Sequence, residues 1–385
     1  MKRGLATRFG SQRNTGLSLV ELMVALTLGL LIVGAVIQVF VTSRLTYNVN
    51  EGLGRVQENA RFAMEFLQRD VRMAGSSAMC GGRPPEQVNW ASDNSAIPEI
   101  VTLLDPDIAV RGWEYDGTAT GTFVFDPPTL DDAPNQWSDG TPGLPEFLQG
   151  RALPGSDVLG LRVFEVANPD ITGCVGAGNT ADSVTIETCS RSGGDPEHGV
   201  QTGELWAVAD CRVAVEICRQ TAAGTATILN CSNGEGNVRP SGTAGNWRTD
   251  YEGDMELYLP RTIFYYVGEN PAGRRALFRA SNCAGSGGGT GCRIEELVEG
   301  VDSLQLFYRL NDNPAGLFAA NAGINWANVH AVVVHLIVSS PNEVDGRQLS
   351  QDLVLDNNLI FRTNDRRVRH AYPATIAIRN RLEVF

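Results

Sequence analysis

The dominant hydrophobic feature of the chain is the apolar run Leu22–Phe40, close to the first residue. No charge occurs between Glu21 and Arg44, a gap of 22 residues. As a helix at ~1.5 Å per residue this gap reaches about 33 Å, enough to cross a hydrocarbon core of roughly 30 Å. Beyond Arg44 the pattern becomes one-sided. Leu53, Val56, Ala60, Ala63, Leu67 and Val71 recur at steps of three and four, with Phe62, Phe66 and Met73 widening the stripe; this predicts an amphipathic helix. No proline precedes Pro84, so the two patterns read as one helix from Leu17 to about Met73, roughly 85 Å long.

From 76 to 155 the rhythm breaks up. Ten of the 18 prolines fall between Gly81 and Gly155, together with Trp90, Trp113 and Trp137. The stretch reads as a loop-rich insertion, either an ordered decoration or a contact surface, with short strands at Ile100–Leu104 and Thr122–Phe125. After Gly155 strands dominate. They are expected at 157–165, 183–188, 205–218 (bent or broken), 225–231, 301–310, 331–338 and 374–379, with a hairpin pairing 261–267 and 274–280. A short helix is expected at Glu295–Val298. His335, inside the nearly all-apolar run 331–338, reads as a packed core histidine. The fold class is therefore α+β, a long helix packed on an antiparallel β-sheet head with loop-rich insertions. The expected divisions are 1–16, 17–44, 45–75, 76–155 and 156–385.

Charge orients the apolar segment. Lys2, Arg3, Arg8 and Arg13 precede it without any acid, which keeps that end cytoplasmic and exports the remainder. The whole chain carries a net charge of −13. So acidic a protein lacks the basic field that generic nucleic-acid binding requires. Eight cysteines, Cys80, Cys174, Cys189, Cys211, Cys218, Cys231, Cys283 and Cys292, in an exported domain read as disulfides. Cys283 and Cys292 bracket a glycine-rich loop and are the natural pair. Cys211 and Cys218, seven apart on an apparent strand, point to opposite faces and do not suit one bond. No C-x-x-C is present for zinc.

The residues Gly16-Leu17-Ser18-Leu19-Val20-Glu21-Leu22-Met23-Val24-Ala25 resemble the class III leader of type IV prepilins and type II secretion pseudopilins. The resemblance implies that a prepilin peptidase/methyltransferase cuts after Gly16 and methylates Leu17, which replaces the commoner Phe or Met. Glu21 then becomes the fifth residue and pairs with a neighbouring N-terminus in the filament. The segment Arg61–Gly75 with Cys80 soon after, Leu205–Cys211 with its Asp210-Cys211 pair, Glu296–Gln305 and Ala374–Leu382 resemble PilW-type minor pilins. Glu296–Gln305 also occurs in the J-type minor pseudopilins. A type IV pilin-like fold is implied, stored in inner-membrane lipid with its head periplasmic, then carried to the pilus surface. The implied partners are other minor pilins, the major pilin, a tip adhesin and the inner-membrane assembly platform.

Enzymatic chemistry finds little foothold. There is no G-x-S-x-G. Gly176–Ala181 fits a loose dinucleotide pattern but lacks a following helix and reads as a turn. Asn311–Gly316 lacks the third oxygen ligand and closing Glu of a calcium loop. No cofactor or catalytic residue is assigned. Arg366, Arg367 and Arg369 form a basic knot, read either as internal pairing or as a docking patch for an acidic subunit or DNA. The reading is a non-enzymatic minor pilin that helps initiate and tip a type IV pilus. Its rivals are a J-type pseudopilin and a membrane-anchored periplasmic enzyme or sugar-binding protein.

Overall fold

The computed structural model describes residues 18–75, 86–90, 108–138, 143–166, 176–179, 183–186, 205–210, 214–221, 228–231, 237, 247, 256–281, 292–321, 323–343 and 350–379. Gly16, Leu17, Cys80, Cys174, Cys189, Cys211, Cys283 and the expected strand 100–104 lie outside them. The chain separates into two compact units, Met1–Glu51 and Gly52–Phe385. Helix α1, Leu19–Met73, contributes to both.

Nineteen strands follow among the described residues. In order they are β1 (Glu86–Asn89), β2 (Val110–Tyr115), β3 (Gly121–Phe125), β4 (Trp137–Ser138), β5 (Val158–Val166), β6 (Gly176–Asn179), β7 (Ser183–Ile186), β8 (Leu205–Asp210), β9 (Ala214–Arg219) and β10 (Ile228–Asn230). Then come β11 (Glu256–Glu269), β12 (Arg275–Ser281), β13 (Arg293–Glu299), β14 (Val301–Leu310), β15 (Asn313–Phe318), β16 (Val329–Ser339), β17 (Gln351–Val354), β18 (Leu359–Thr363) and β19 (Arg369–Ala377). The largest sheet runs β1-β9-β8-β11-β5-β2-β4, with β12 pairing β11 and β13. A second sheet has the order β15-β14-β16-β19, and two three-stranded sheets are β17-β18-β3 and β10-β7-β6. Pairing is antiparallel except for β1 with β9 and β3 with β18.

Strand alternation sends side chains into two cores. On β14, Leu304, Leu306, Tyr308 and Leu310 join Val332, Val334 and Leu336 of β16 beneath Val56, Ala60, Ala63, Leu67 and Val71 of α1. The intervening residues Phe307, Val333 and Ile337 enter the other core, as the two-residue period of a strand requires. Both faces are thus covered, which is why β16 is apolar almost throughout rather than alternating.

The cover on the second face comes from the stretch expected to be loop-rich. Trp113, Tyr115, Phe123, Phe125, Trp137 and Leu148 are buried there. Trp90 is buried in a third cluster, stacked on Trp247 at 4.7 Å. These tryptophans are core residues, not contact surfaces. β2 and β4 belong to the same sheet as β5 and β11, so residues 110–138 are woven into the head's sheets. β2 went unread because all six of its residues are buried, leaving Arg111 and Glu114 to mask an otherwise apolar pattern.

Other expectations change in detail. The helical stripe is widened by Met64 and Asp70, both buried, rather than by Phe62 and Met73, which are exposed. Glu295–Val298 is not a helix but part of strand β13, paired antiparallel with β12; the ladder with a neighbouring strand overrides the helical propensity of the two glutamates. The run 205–218 is broken into the antiparallel pair β8 and β9. Cys218 bonds Cys231, 13 residues on, within the third cluster. Cys292 is also disulfide-bonded.

Candidate membrane and filament interface

Helix α1 opens on a side-chain cap. The Glu21 backbone N–H donates to Ser18 Oγ at 3.1 Å, and Leu22 N–H to the Ser18 carbonyl at 3.1 Å. The first satisfies one of the orphan donors at a helix start, and the second is the first intrahelical bond. The Glu21 carboxylate lies in the first turn, where the helix dipole favours negative charge by about 0.3–1 kcal/mol.

From Leu19 to Leu45 the large apolar side chains are exposed, between 40% and 75%. An exposed apolar surface this extensive marks a membrane or protein interface. The segment is long and apolar enough to cross a membrane. Its threonine hydroxyls are satisfied internally, Thr27 donating to the Val24 carbonyl and Thr42 to that of Gln38, and just beyond it Thr46 donates to the Thr42 carbonyl, each at 2.9 Å. Such pairing removes the cost of burying an unpartnered hydroxyl in lipid or in a helix bundle. Arg44 closes the segment, its guanidinium 4.7 Å from the Phe40 ring.

Where α1 enters the head, a buried carboxylate holds it. Asp70 has no exposed surface. Tyr265 Oη on β11 donates to Asp70 Oδ2 at 2.6 Å. Arg279 Nε on β12 lies 3.0 Å from the same oxygen, and Arg69 Nε lies 3.0 Å from Oδ1. Burial, then the adjacent Asp70 carboxylate, push the Tyr265 phenol far above its ordinary value, so it stays a donor. Asn59 adds a bond to the Glu299 carbonyl at 2.9 Å, and the N–H of Gly75 one to the Arg162 carbonyl at 2.8 Å. The helical stripe as read from the sequence does not include Asp70. Its phase, three residues after Leu67 and seven after Ala63, was the signal that it points inward.

The basic knot does not survive intact. Arg369 is buried, 4% exposed. Its Nε donates to Asp302 Oδ2 at 2.6 Å, and its remaining nitrogens donate to both oxygens of Asp365. Arg369 therefore leaves the proposed docking patch: it is an internal ion-pair residue, because β19 begins at Arg369 rather than at Ala374 and draws it under the sheet. Asp302 also presents its carbonyl to Arg275 Nε at 2.9 Å. Arg366 is half-exposed near Glu343 at 3.6 Å. Arg367 donates its backbone N–H to Asp365. His335 is buried, 3.1 Å from Asp356. Burial holds its imidazole below the ordinary value, against the opposing pull of Asp356.

A second acidic centre sits between the sheets. Asp157 accepts from the N–H groups of Tyr115 (2.9 Å) and Leu306 (2.8 Å), tying β2 to β14. Glu114 faces it, with Thr118 Oγ1 at 2.7 Å from Glu114 and 3.3 Å from Asp157. Burial, then the Asp157 charge, raise Glu114 well above the usual carboxylate range; burial raises Asp157 to about 7. The pair thus retains protons that the unfolded chain would release. Its stabilising contribution is complete below the unfolded carboxylate values near pH 4 and is lost as pH rises through about 7. Each retained proton corresponds to about 1.4 kcal/mol per pH unit across that window. Thermal melts of the full chain should therefore fall between about pH 5 and pH 8, and Asp157→Asn should flatten that slope. A wild-type melting point that rises over the same range would contradict it. Among the described residues no group of three or more His, Cys, Asp or Glu is placed to hold a metal ion.

Residues 264–380, less than a third of the chain, match the family model of PilW, Type IV Pilus-assembly protein W. This part of the chain is similar to PilW. Among solved structures, the "Type IV-like pilin TTHA1219 from Thermus thermophilus" is similar at 16% identity with a TM-score of 0.21, over 32% of this chain and 69% of that one. No curated protein matches. The PilW-matched segment runs from within β11 through β19 and contains Tyr265 and Arg279, whereas Asp70 lies outside it on α1. The bonds at Asp70 therefore join the PilW-like part of the head to the helix that leads to the apolar segment.

Proposed function

We propose that this chain is a minor pilin that helps initiate type IV pilus assembly and occupies the pilus tip. The carrying observation is an apolar helical segment, exposed along its length, leading into a PilW-like head. The unprocessed chain spans the inner membrane once, N-terminus cytoplasmic and head periplasmic. A prepilin peptidase/methyltransferase removes residues 1–16 and methylates Leu17. The segment then exchanges lipid for a bundle of similar helices from the major pilin and other minor pilins, with an assembly platform and a tip adhesin as further partners. Its role is structural rather than enzymatic. A head much larger than its helix needs suits a tip position, where no copy must be stacked above it.

In filaments, Glu21 pairs with the N-terminal ammonium of an adjacent subunit. Both groups would otherwise be buried uncompensated in apolar surroundings. Mass spectrometry of the protein purified from assembling cells should find the N-terminus at methylated Leu17. A chain that still begins at Met1, or is cut after the apolar segment, would refute the reading.

A further inference from the structure

β19 is the last strand of its sheet, so among the described residues no strand pairs with its outer edge; the Gln351 side chain caps that edge at Arg369, accepting from its N–H at 3.0 Å and donating to its carbonyl at 2.8 Å, and leaves the rest open. The hydrogen bonds at its two ends fix which backbone groups face outward. Ile378 N–H donates to the His330 carbonyl, and the Val368 carbonyl accepts from Ser340 N–H, each at 2.8 Å. Even-numbered residues therefore point toward β16, and Ala371, Pro373, Thr375 and Ala377 point away. Pro373 falls where its missing donor breaks no ladder bond. The outward N–H groups of Thr375 and Ala377, and the neighbouring carbonyls, have no bonding partner among the described residues.

Between this edge and α1 lies a groove of about 730 Å³. Its apolar lining includes Ala60 and Met64 of α1 and Tyr372 and Pro373 of β19. The same groove is lined by four arginines, Arg61, Arg69, Arg72 and Arg379, against one carboxylate, Glu65. Arg69 is engaged by Asp70, and among the described residues Arg72 reaches Gln68 alone, at 3.3 Å. Arg61 and Arg379 are exposed and make no ion pair within the described residues. On a chain of net charge −13 this is a local basic trough, lined by apolar side chains and flanked by unused strand donors.

We propose that the groove receives an extended, acidic segment of another filament subunit, laid along β19 beside Thr375 and Ala377. Strand addition supplies affinity through main-chain bonds. The arginines select carboxylate-bearing segments and reject basic ones. The proposal rests on the pilin reading for the partner's identity, while the groove's chemistry does not depend on it.

A photo-crosslinking residue placed at Gln68 or Thr375 of the full-length chain, in cells that assemble filaments, tests the idea. Adducts should map by mass spectrometry to an acidic stretch of a different filament subunit. Arg61→Glu combined with Arg379→Glu should cut their yield about tenfold, with an unchanged melting point showing that the head still folds. Adducts confined to residues 380–385 of the same chain, adducts to a second copy, adducts insensitive to the charge reversal, or no adduct from a chain present in filaments would each overturn the proposal. A chain absent from filaments altogether would instead count against the minor-pilin reading.

Discussion

Glu21→Ala and Glu21→Val should enter the membrane normally yet reach filaments at about a tenth of the wild-type level or less. The difference between the two environments is the argument. In the isolated chain the carboxylate is exposed in the first turn of α1 and the Glu21 N–H is held by Ser18, so losing the side chain removes only about 0.3–1 kcal/mol of dipole interaction. In a packed bundle the partner ammonium would be left buried without its counter-charge, at a cost of roughly 3–5 kcal/mol. The chain offers a direct readout. Lys2 is the sole lysine, so a chain cut after Gly16 has its N-terminus as its one amine. Amine-reactive labelling of that terminus should be suppressed in filaments and unaffected in the membrane pool. Immunoblots of sheared filaments against membranes measure incorporation, and wild-type incorporation of either variant would remove the pairing role.

Asp70→Ala should be the most damaging single substitution in the head, lowering stability by about 3 kcal/mol or more. It strips the buried partner from Tyr265 and Arg279 together, whereas the exposed side of the network, Arg69 at 54%, contributes little. Asp70→Asn keeps an acceptor for Tyr265 but loses the charge facing Arg279, and should fall between Ala and wild type. Tyr265→Phe leaves the ion pair intact and should cost about 1–2 kcal/mol. Denaturant melts of the full chain in detergent micelles would give the order. A Tyr265→Phe loss equal to that of Asp70→Ala would show that the hydroxyl, not the ion pair, anchors the helix.

The contrast between Asp70 and Arg369 explains where sequence reading stopped. Both sit among residues of ordinary surface composition, and both are buried with opposite charges distant in the chain: Asp70 with Arg279, Arg369 with Asp302. Neither partner can be named from spacing, because pairing across sheets follows topology rather than sequence distance. The stretch 110–138 was obscure for a related reason. Strand β2 has both faces buried, so it shows no alternation, and the prolines and tryptophans of residues 110–138 look like loop decoration until the second core is seen to need a cover.

What the sequence alone determined is local. The apolar run ahead of Arg44, the three-and-four stripe that follows it, the hairpin β11–β12 and the apolar strand β16 are all written in short-range periodicity, which backbone geometry imposes residue by residue. Tertiary structure decided which charges are internal. It withdrew Arg369 from the surface, buried Asp70 under the sheet, set Glu114 against Asp157 and left β19 as an open edge beside a basic groove. Those outcomes depend on which strands become neighbours, and burial changes the energy of a charge by more than any local preference can signal.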